Sequence, residues 1–407
     1  MYQEPMQQTD PDLARIRWLT YMMFFVFAMT SDAVGVIIPE LITTYELSMT
    51  QAGAFHYVPM VFIAFSGLFL GYLADKLGRK TTIVIGLALF ALACFLFVIG
   101  DNFFYFLALL AIIGSAVGLF KTGALAMIGD ISASSREHTA TMNKVEGFFG
   151  IGAMVGPAIV SYLLISGVSW KYLYLSAGLL CLFLCLAAVK TRYPKVKVHG
   201  QEQINLRQSL KMMADPYALG FSLAIALYVA TEVAIYVWMP TLLQGYQGSL
   251  MWLATYAISV FFALRAGGRF LGVWMLNRFR WQSVMFWFSL AVLLCYLGTA
   301  LYGVEVAVIL LPLSGLFMSM IYPTLNSKGI SCFPKSKHGA VAGVILFFTA
   351  VSAAISPLMM GVVSDLFGHV TYGFYLATFF AAMLVILAAY NLRFGPANHI
   401  LYQQESI

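Results

Sequence analysis

"GYLADKLGRK" (71–80) is a short polar turn set between two apolar runs, and the rest of the chain is read outward from it. Gly71 permits close contact between helices, and Asp75 can accept from the N-terminus of a neighbouring helix. Lys76, Arg79 and Lys80 form a basic cluster suited to lipid headgroups and neighbouring carboxylates. An ordinary basic loop would account for those three cations. It would not account for the spacing of Gly71, Asp75 and Gly78 between two apolar stretches. Apolar runs of about 20 residues are the signature of a membrane-crossing helix.

The same alternation continues from end to end. Of 407 residues, 61% are hydrophobic and 10% charged, against about 25% charged in a soluble domain. Such a chain cannot cover itself with polar surface, so its solvent is lipid. Twelve spans are predicted: 17–44, 50–74, 80–99, 104–130, 138–167, 170–190, 217–247, 250–277, 281–301, 304–332, 338–365 and 370–394. Loop charge sets their orientation. With the N-terminus inside, seventeen lysines and arginines fall on the cytosolic side, from Arg15 and Arg17 to Lys335, Lys337 and Arg393; only Lys171 falls outside. Both termini are therefore expected in the cytosol of a multi-pass protein of the bacterial inner membrane. The opening "MYQEPMQQTDPDLAR" lacks an apolar core with a cleavage site and reads as a polar tail, not a signal peptide.

The one long polar segment, within 190–216, divides the chain into a six-helix bundle (1–190), a linker (191–216), a second bundle (217–394) and a tail (395–407). The halves echo each other. "GFFGIGAMVGPAI" (147–159) aligns with "LFFTAVSAAISPLM" (346–359) with one residue gapped between the aromatic pair and the proline, bringing Phe148, Phe149 and Pro157 over Phe347, Phe348 and Pro357. Two related bundles of this kind are the architecture of a rocking secondary transporter with a midplane site. No phosphate-binding loop, metal-ligand set, nucleophile triad or cofactor loop stands out, so neither an enzyme nor an ATP-driven pump is expected. The five cysteines read as small buried residues, and the basic loops are no nucleic-acid signal.

The 71–80 stretch resembles the cytoplasmic signature of the major facilitator superfamily. With twelve spans and the half-chain repeat, the likeness covers essentially the whole sequence. It implies a gating role for Gly71, Asp75, Gly78, Arg79 and Lys80, with Asp130 as partner of Arg79, and a monomer as the default state. Within the superfamily, "FMSMIYPTLNSKGI" (317–330), "GGRFLGVWMLNRF" (267–279), "GVVSDLFG" (361–368), "YVATEVAIYVWMP" (228–240) and "TSDAVGVIIP" (30–39) are similar to helices of the fucose permease and related sugar–proton symporters. The likeness places Asp32 where that permease has an aspartate tied to protonation. It matches Lys121 to a glutamate important for proton coupling, so the sign is reversed and that coupling mechanism does not carry over.

Charges at span centres cost roughly 2.5–3.5 kcal/mol each on insertion scales and so face a partner or a cavity. The deep set is Asp32, Lys121, Glu146, Glu232 and Arg265. Lys121 is expected to pair with Asp32 or Glu146, and Arg265 with Glu232 or with substrate. For Lys121 a fixed ion pair and direct contact with a substrate both remain open. Asp32 suits either proton coupling or static pairing; Glu232 suits pairing or hydrogen bonds to hydroxyls. Asn143, Tyr322 and Asn326, with His56, Thr231 and aromatics such as Tyr228 and Tyr236, are candidates to complete a site for a small-molecule substrate. The near balance of three carboxylates and two cations favours a neutral or zwitterionic solute. Three readings follow: a transporter of a monosaccharide or sugar derivative with protons, an organic-anion or drug exporter using Lys121 and Arg265, and a non-transporting membrane sensor.

Overall fold

The computed structural model describes residues 11–69, 77–132, 135–194, 212–334 and 337–405. Lipid offers a backbone amide no hydrogen-bond partner, so a chain this apolar satisfies its amides within helices. Every regular element among the described residues is helical. In chain order these are α1 (Pro11–Ser31), α2 (Val34–Tyr45), α3 (Met49–Ala52), α4 (Ala54–Phe69), α5 (Arg79–Leu96), α6 (Phe103–Ile131), α7 (Ser135–Ile165) and α8 (Lys171–Lys190). After the linker come α9 (Pro216–Val233), a π-helical segment (Ala234–Trp238), α10 (Met239–Leu243), α11 (Met251–Thr255), α12 (Ala257–Arg278) and α13 (Trp281–Tyr302). The chain ends with α14 (Val304–Met318), α15 (Ile321–Ser331), α16 (His338–Phe367), α17 (Thr371–Phe394) and α18 (Asn398–Glu405).

Among the described residues, 11 helical stretches are long and apolar enough to cross a membrane. The second predicted span is represented by α4; Gly71 and Asp75, which follow it, lie outside the described residues, as does most of the 191–216 linker. Large apolar side chains such as Ile99, Phe270 and Leu301 are 75–82% exposed, which suits a surface bathed in hydrocarbon. Helix starts are capped where the chain turns: Asn102 Oδ1 accepts from Phe104 N and Tyr105 N, and Asp215, followed by Pro216, accepts from Tyr217 N and Ala218 N. The two helices carrying the sequence echo, α7 and α16, have 31 and 30 residues, each with an internal proline.

Three spans are interrupted midway. Asp32 and Ala33 form a turn between α1 and α2. The π segment interrupts the span that begins with α9, and Ser319 and Met320 form a turn between α14 and α15.

The chain forms two compact units. The first comprises Met1–Ser31, Val61–Gly156 and Ser166–His199. Here Gly152 and Gly156 lie one turn apart on one face of α7, hard against α1. A Cβ at either would stand 2.2 Å from the Phe25 carbonyl oxygen or 1.9 Å from that of Met29, so only glycine lets the helices meet. Tyr21, Phe24 and Val145 fill the adjoining core, with Phe148 stacked on Tyr21 at 5.3 Å.

The second unit comprises Asp32–Met60, Pro157–Ile165 and Gly200–Ile407. Gly268 of α12 and Gly315 of α14 each meet the other helix's backbone, at Leu316 and Phe261. Ser352 Oγ of α16 donates to the Ala226 carbonyl of α9 at 2.6 Å, and Trp238 Nε1 donates to the Pro357 carbonyl at 3.2 Å. The end of α7 joins this unit through Ser161 Oγ, which donates to the Thr255 carbonyl at 2.8 Å.

Candidate functional site

The second unit holds a buried polar cluster at two of the interruptions. Glu232 closes α9 next to the π segment and is 6% exposed. Arg265 of α12 reaches it, with Nη1 2.6 Å from Glu232 Oε1. One turn before Glu232, and so on its face, Tyr228 places its hydroxyl 3.0 Å from the same oxygen and 3.1 Å from the Met318 carbonyl, where α14 breaks off. A carboxylate buried this deeply is tolerable because it is both paired and hydrogen-bonded. Arg265 Nε is also buried and has no hydrogen-bond partner among the described residues, so one donor of the guanidinium is uncommitted.

Asp32 belongs to the same surroundings. It lies at the α1–α2 turn, and both Arg265 and Tyr236 interact electrostatically with it. Tyr236 sits on the π segment, and its carbonyl oxygen faces Gly35, where a Cβ would stand 1.8 Å away. The Tyr322 ring lies 6.2 Å from that of Tyr228, and Asn326 follows one turn later on α15, half-buried. His56 of α4 is buried, bonds the backbone of Ala353, and stands 5.6 Å from the Tyr236 ring. Its Nε2 has no partner among the described residues.

Lys121 lies in the first unit, midway along α6 and half-buried. Its ammonium stands 5.3 Å from the Phe24 ring centroid and 5.1 Å from that of Phe27, over two faces that attract a cation. Asn143 and Glu146 lie in the first half of α7, exposed. The basic turn at 78–80 is tied down on both sides. Arg79 Nε is 3.1 Å from Asp130 Oδ2, with both side chains about nine-tenths buried. Lys80 Nζ donates to the carbonyls of Val189 and Thr191 at the C-terminus of α8, where a cation is favoured. It also stands 5.7 Å from the ring of Tyr193, whose phenol burial pushes up to about 12.

The structure thus gathers Asp32, Glu232, Arg265 and Tyr322 in one unit and sets Lys121, Asn143, Glu146, Arg79 and Asp130 in the other. Sequence reasoning treated Tyr228 and Tyr236 only as generic aromatics and did not anticipate the interruptions. The signals for the latter were slight: Pro240 follows the π segment, and Pro323 follows the α14–α15 turn.

Comparison with known proteins adds the following. The sequence profile of the Major Facilitator Superfamily matches residues 20–357. The L-fucose-proton symporter of Escherichia coli (strain K12) is 24% identical over 91% of this chain and 91% of its own length. The quinolone resistance protein NorA of Staphylococcus aureus (strain MSSA476) is 24% identical over 88% of this chain and 92% of its own. Among solved structures, a bacterial homologue of the human lysosomal transporter Spinster, inward-facing and occupied, aligns with TM-score 0.79 at 13% identity, covering 97% of this chain and 99% of that chain. At that identity the likeness speaks for the fold.

Proposed function

Since the chain belongs to the major facilitator superfamily, a family of transporters in the membrane, we propose that it carries a small polar solute, a monosaccharide or sugar derivative, by alternating access with proton coupling. On this reading it has twelve spans in two six-helix halves (1–190 and 217–394), both termini in the cytosol, in a bacterial inner membrane. The observation that carries the reading is the Glu232–Arg265–Tyr228 network beside Asp32. It is polar, buried, set where spans are interrupted, and has an Arg265 donor to spare. Interrupted spans expose backbone and side-chain polar groups where a hydrated solute can exchange them for water. Asp32, Glu146 and Glu232 nearly balance Lys121 and Arg265, which suits a solute without strong net charge. Tyr322 and Asn326 supply the ring face and amide that sugar hydroxyls use. The full-length similarity to a fucose symporter supports the same class.

The test is uptake of labelled hexoses into proteoliposomes with and without an imposed pH gradient. Accumulation that follows the gradient supports the reading; a full panel of sugars with no flux overturns it. A second reading, export of organic anions or drugs through Lys121 and Arg265, is favoured by the similarity to a quinolone resistance protein and by Lys121 lying over two aromatic rings. Gradient-driven movement of a fluorescent quinolone in the same vesicles, with no sugar flux, would select it.

A further inference from the structure

The geometry points to an outer latch: the Asp365 carboxylate, near the end of α16, clamps the turn between α2 and α4 and holds the outer ends of the first two spans against the eleventh. Asp365 Oδ1 accepts from Met49 N at 2.7 Å and Oδ2 from Thr50 N at 2.9 Å. The side chains of Ser48 and Thr50 hydrogen-bond the same carboxylate. Both oxygens are thus engaged by consecutive amides in charge-assisted bonds, an arrangement that an asparagine with its single acceptor oxygen reproduces only in part.

The approach is built into both partners. Gly361, one turn before Asp365, leaves no side chain between α16 and the turn; a Cβ there would stand 3.1 Å from Thr50 Cα and 3.2 Å from its nitrogen. From another side, the Tyr57 hydroxyl donates to the Thr50 carbonyl at 2.6 Å. Ser48 and Gln51 form a reciprocal capping box that fixes the turn itself.

The same residue spacing occurs twice in the sequence. Gly361, Asp365 and Gly368 keep the spacing of Gly71, Asp75 and Gly78. In each copy the last glycine has positive φ, +79° at Gly368 and +88° at Gly78, a conformation that an L side chain rarely adopts. In the proposed orientation the two copies lie at opposite faces of the membrane.

Asp365 and Met49 are 316 positions apart and belong to opposite halves of the chain. If the halves alternate, as the transport reading on which this inference rests requires, they part on the outer side to admit or release solute there. Four bonds to one carboxylate do not survive that separation. The latch therefore favours the outward-closed state and is released when the outer side opens.

The experiment uses the full-length protein in lipid nanodiscs without solute. Spin labels at Thr44→Cys and Leu366→Cys, both exposed positions, report the outer separation by double electron–electron resonance. All five native cysteines are buried, which favours labelling at the two introduced ones. Asp365→Ala should raise the population with longer separation about tenfold, as expected for losing charge-assisted bonds at an exposed site. Met49→Pro removes one donor without touching the carboxylate. Proline suits the first helical position, and Ser48, at φ −67° and ψ 161°, is already extended as a residue before proline requires. It should shift the same population by about threefold, the share of one bond. Unchanged distances in Asp365→Ala overturn the latch, and so does a shift in Asp365→Ala that Met49→Pro does not share. The distances are read without solute, so a latch that moves in a protein carrying nothing sinks the transport reading alone. Fixed distances in a protein that transports sink the latch alone.

Discussion

Arg265 spends one nitrogen on Glu232 and leaves Nε without a partner among the described residues, so its structural and its proposed solute-binding roles can be tested apart. Removing one member of a buried pair strands the other at about 3–5 kcal/mol. Arg265→Met should therefore lower the melting temperature of the purified protein by several degrees, and the double variant Glu232→Gln/Arg265→Met should regain most of that loss. Flux should stay abolished in the double variant; recovered flux would confine the pair to a structural role. Lys121 presents a different balance. Its contacts with Phe24 and Phe27 contribute roughly 0.5–2 kcal/mol, a modest part of the stability of a protein this size. Lys121→Ala should leave the amount of folded protein in the membrane near native while flux falls about tenfold or more, a change of about 1.4 kcal/mol in barrier. Normal flux in that variant would remove Lys121 from the mechanism.

Elements were legible in the sequence to different degrees, and the difference is physical. A span announces itself because some twenty consecutive residues must satisfy the hydrocarbon, as in 104–130, where α6 runs Phe103–Ile131. An interruption makes no such demand. Asp32–Ala33 and Ser319–Met320 contain no glycine or proline; the one local cue is Pro323, which has no N–H to offer the Ser319 carbonyl four residues before it. The pairing of Glu232 with Arg265 could be named only as one of two alternatives, because hydropathy places residues in spans but does not set the rotation of one span against another. Rotation is fixed by features such as Gly152 and Gly156, whose importance shows only when the neighbouring backbone is seen. Gly156→Ala brings a Cβ to 1.9 Å from the Met29 carbonyl oxygen, whereas a Cβ at Gly147, on the same helix, meets nothing within 4 Å. The first substitution should sharply reduce the monodisperse fraction on fluorescence-detected size exclusion. The second should preserve or slightly raise it, since alanine in a helix interior is favoured over glycine by about 1 kcal/mol.

For the whole molecule, the proton is the question that the arrangement of charges poses most directly. Asp32 lies where the first span is interrupted and interacts with Arg265, which is itself committed to Glu232. Arg265 thus stands near two carboxylates, Asp32 and Glu232. On the proposed reading, a proton bound at Asp32 and a solute drawing on the Arg265 Nε donor act on this same arrangement. With transport coupled to protons as proposed, solute accumulates only as far as the proton gradient allows. One proton per cycle across one pH unit is worth about 1.4 kcal/mol, or a concentration ratio of about ten. On the proposed reading, Asp32→Asn removes the proton-binding group and leaves the solute path in place. The variant should still equilibrate labelled solute and exchange it across the vesicle membrane, but its inside-to-outside ratio should fall to one at every imposed pH difference. An accumulation ratio that still climbs with the gradient would move the proton to another group, and Glu232 would then be the residue to change next.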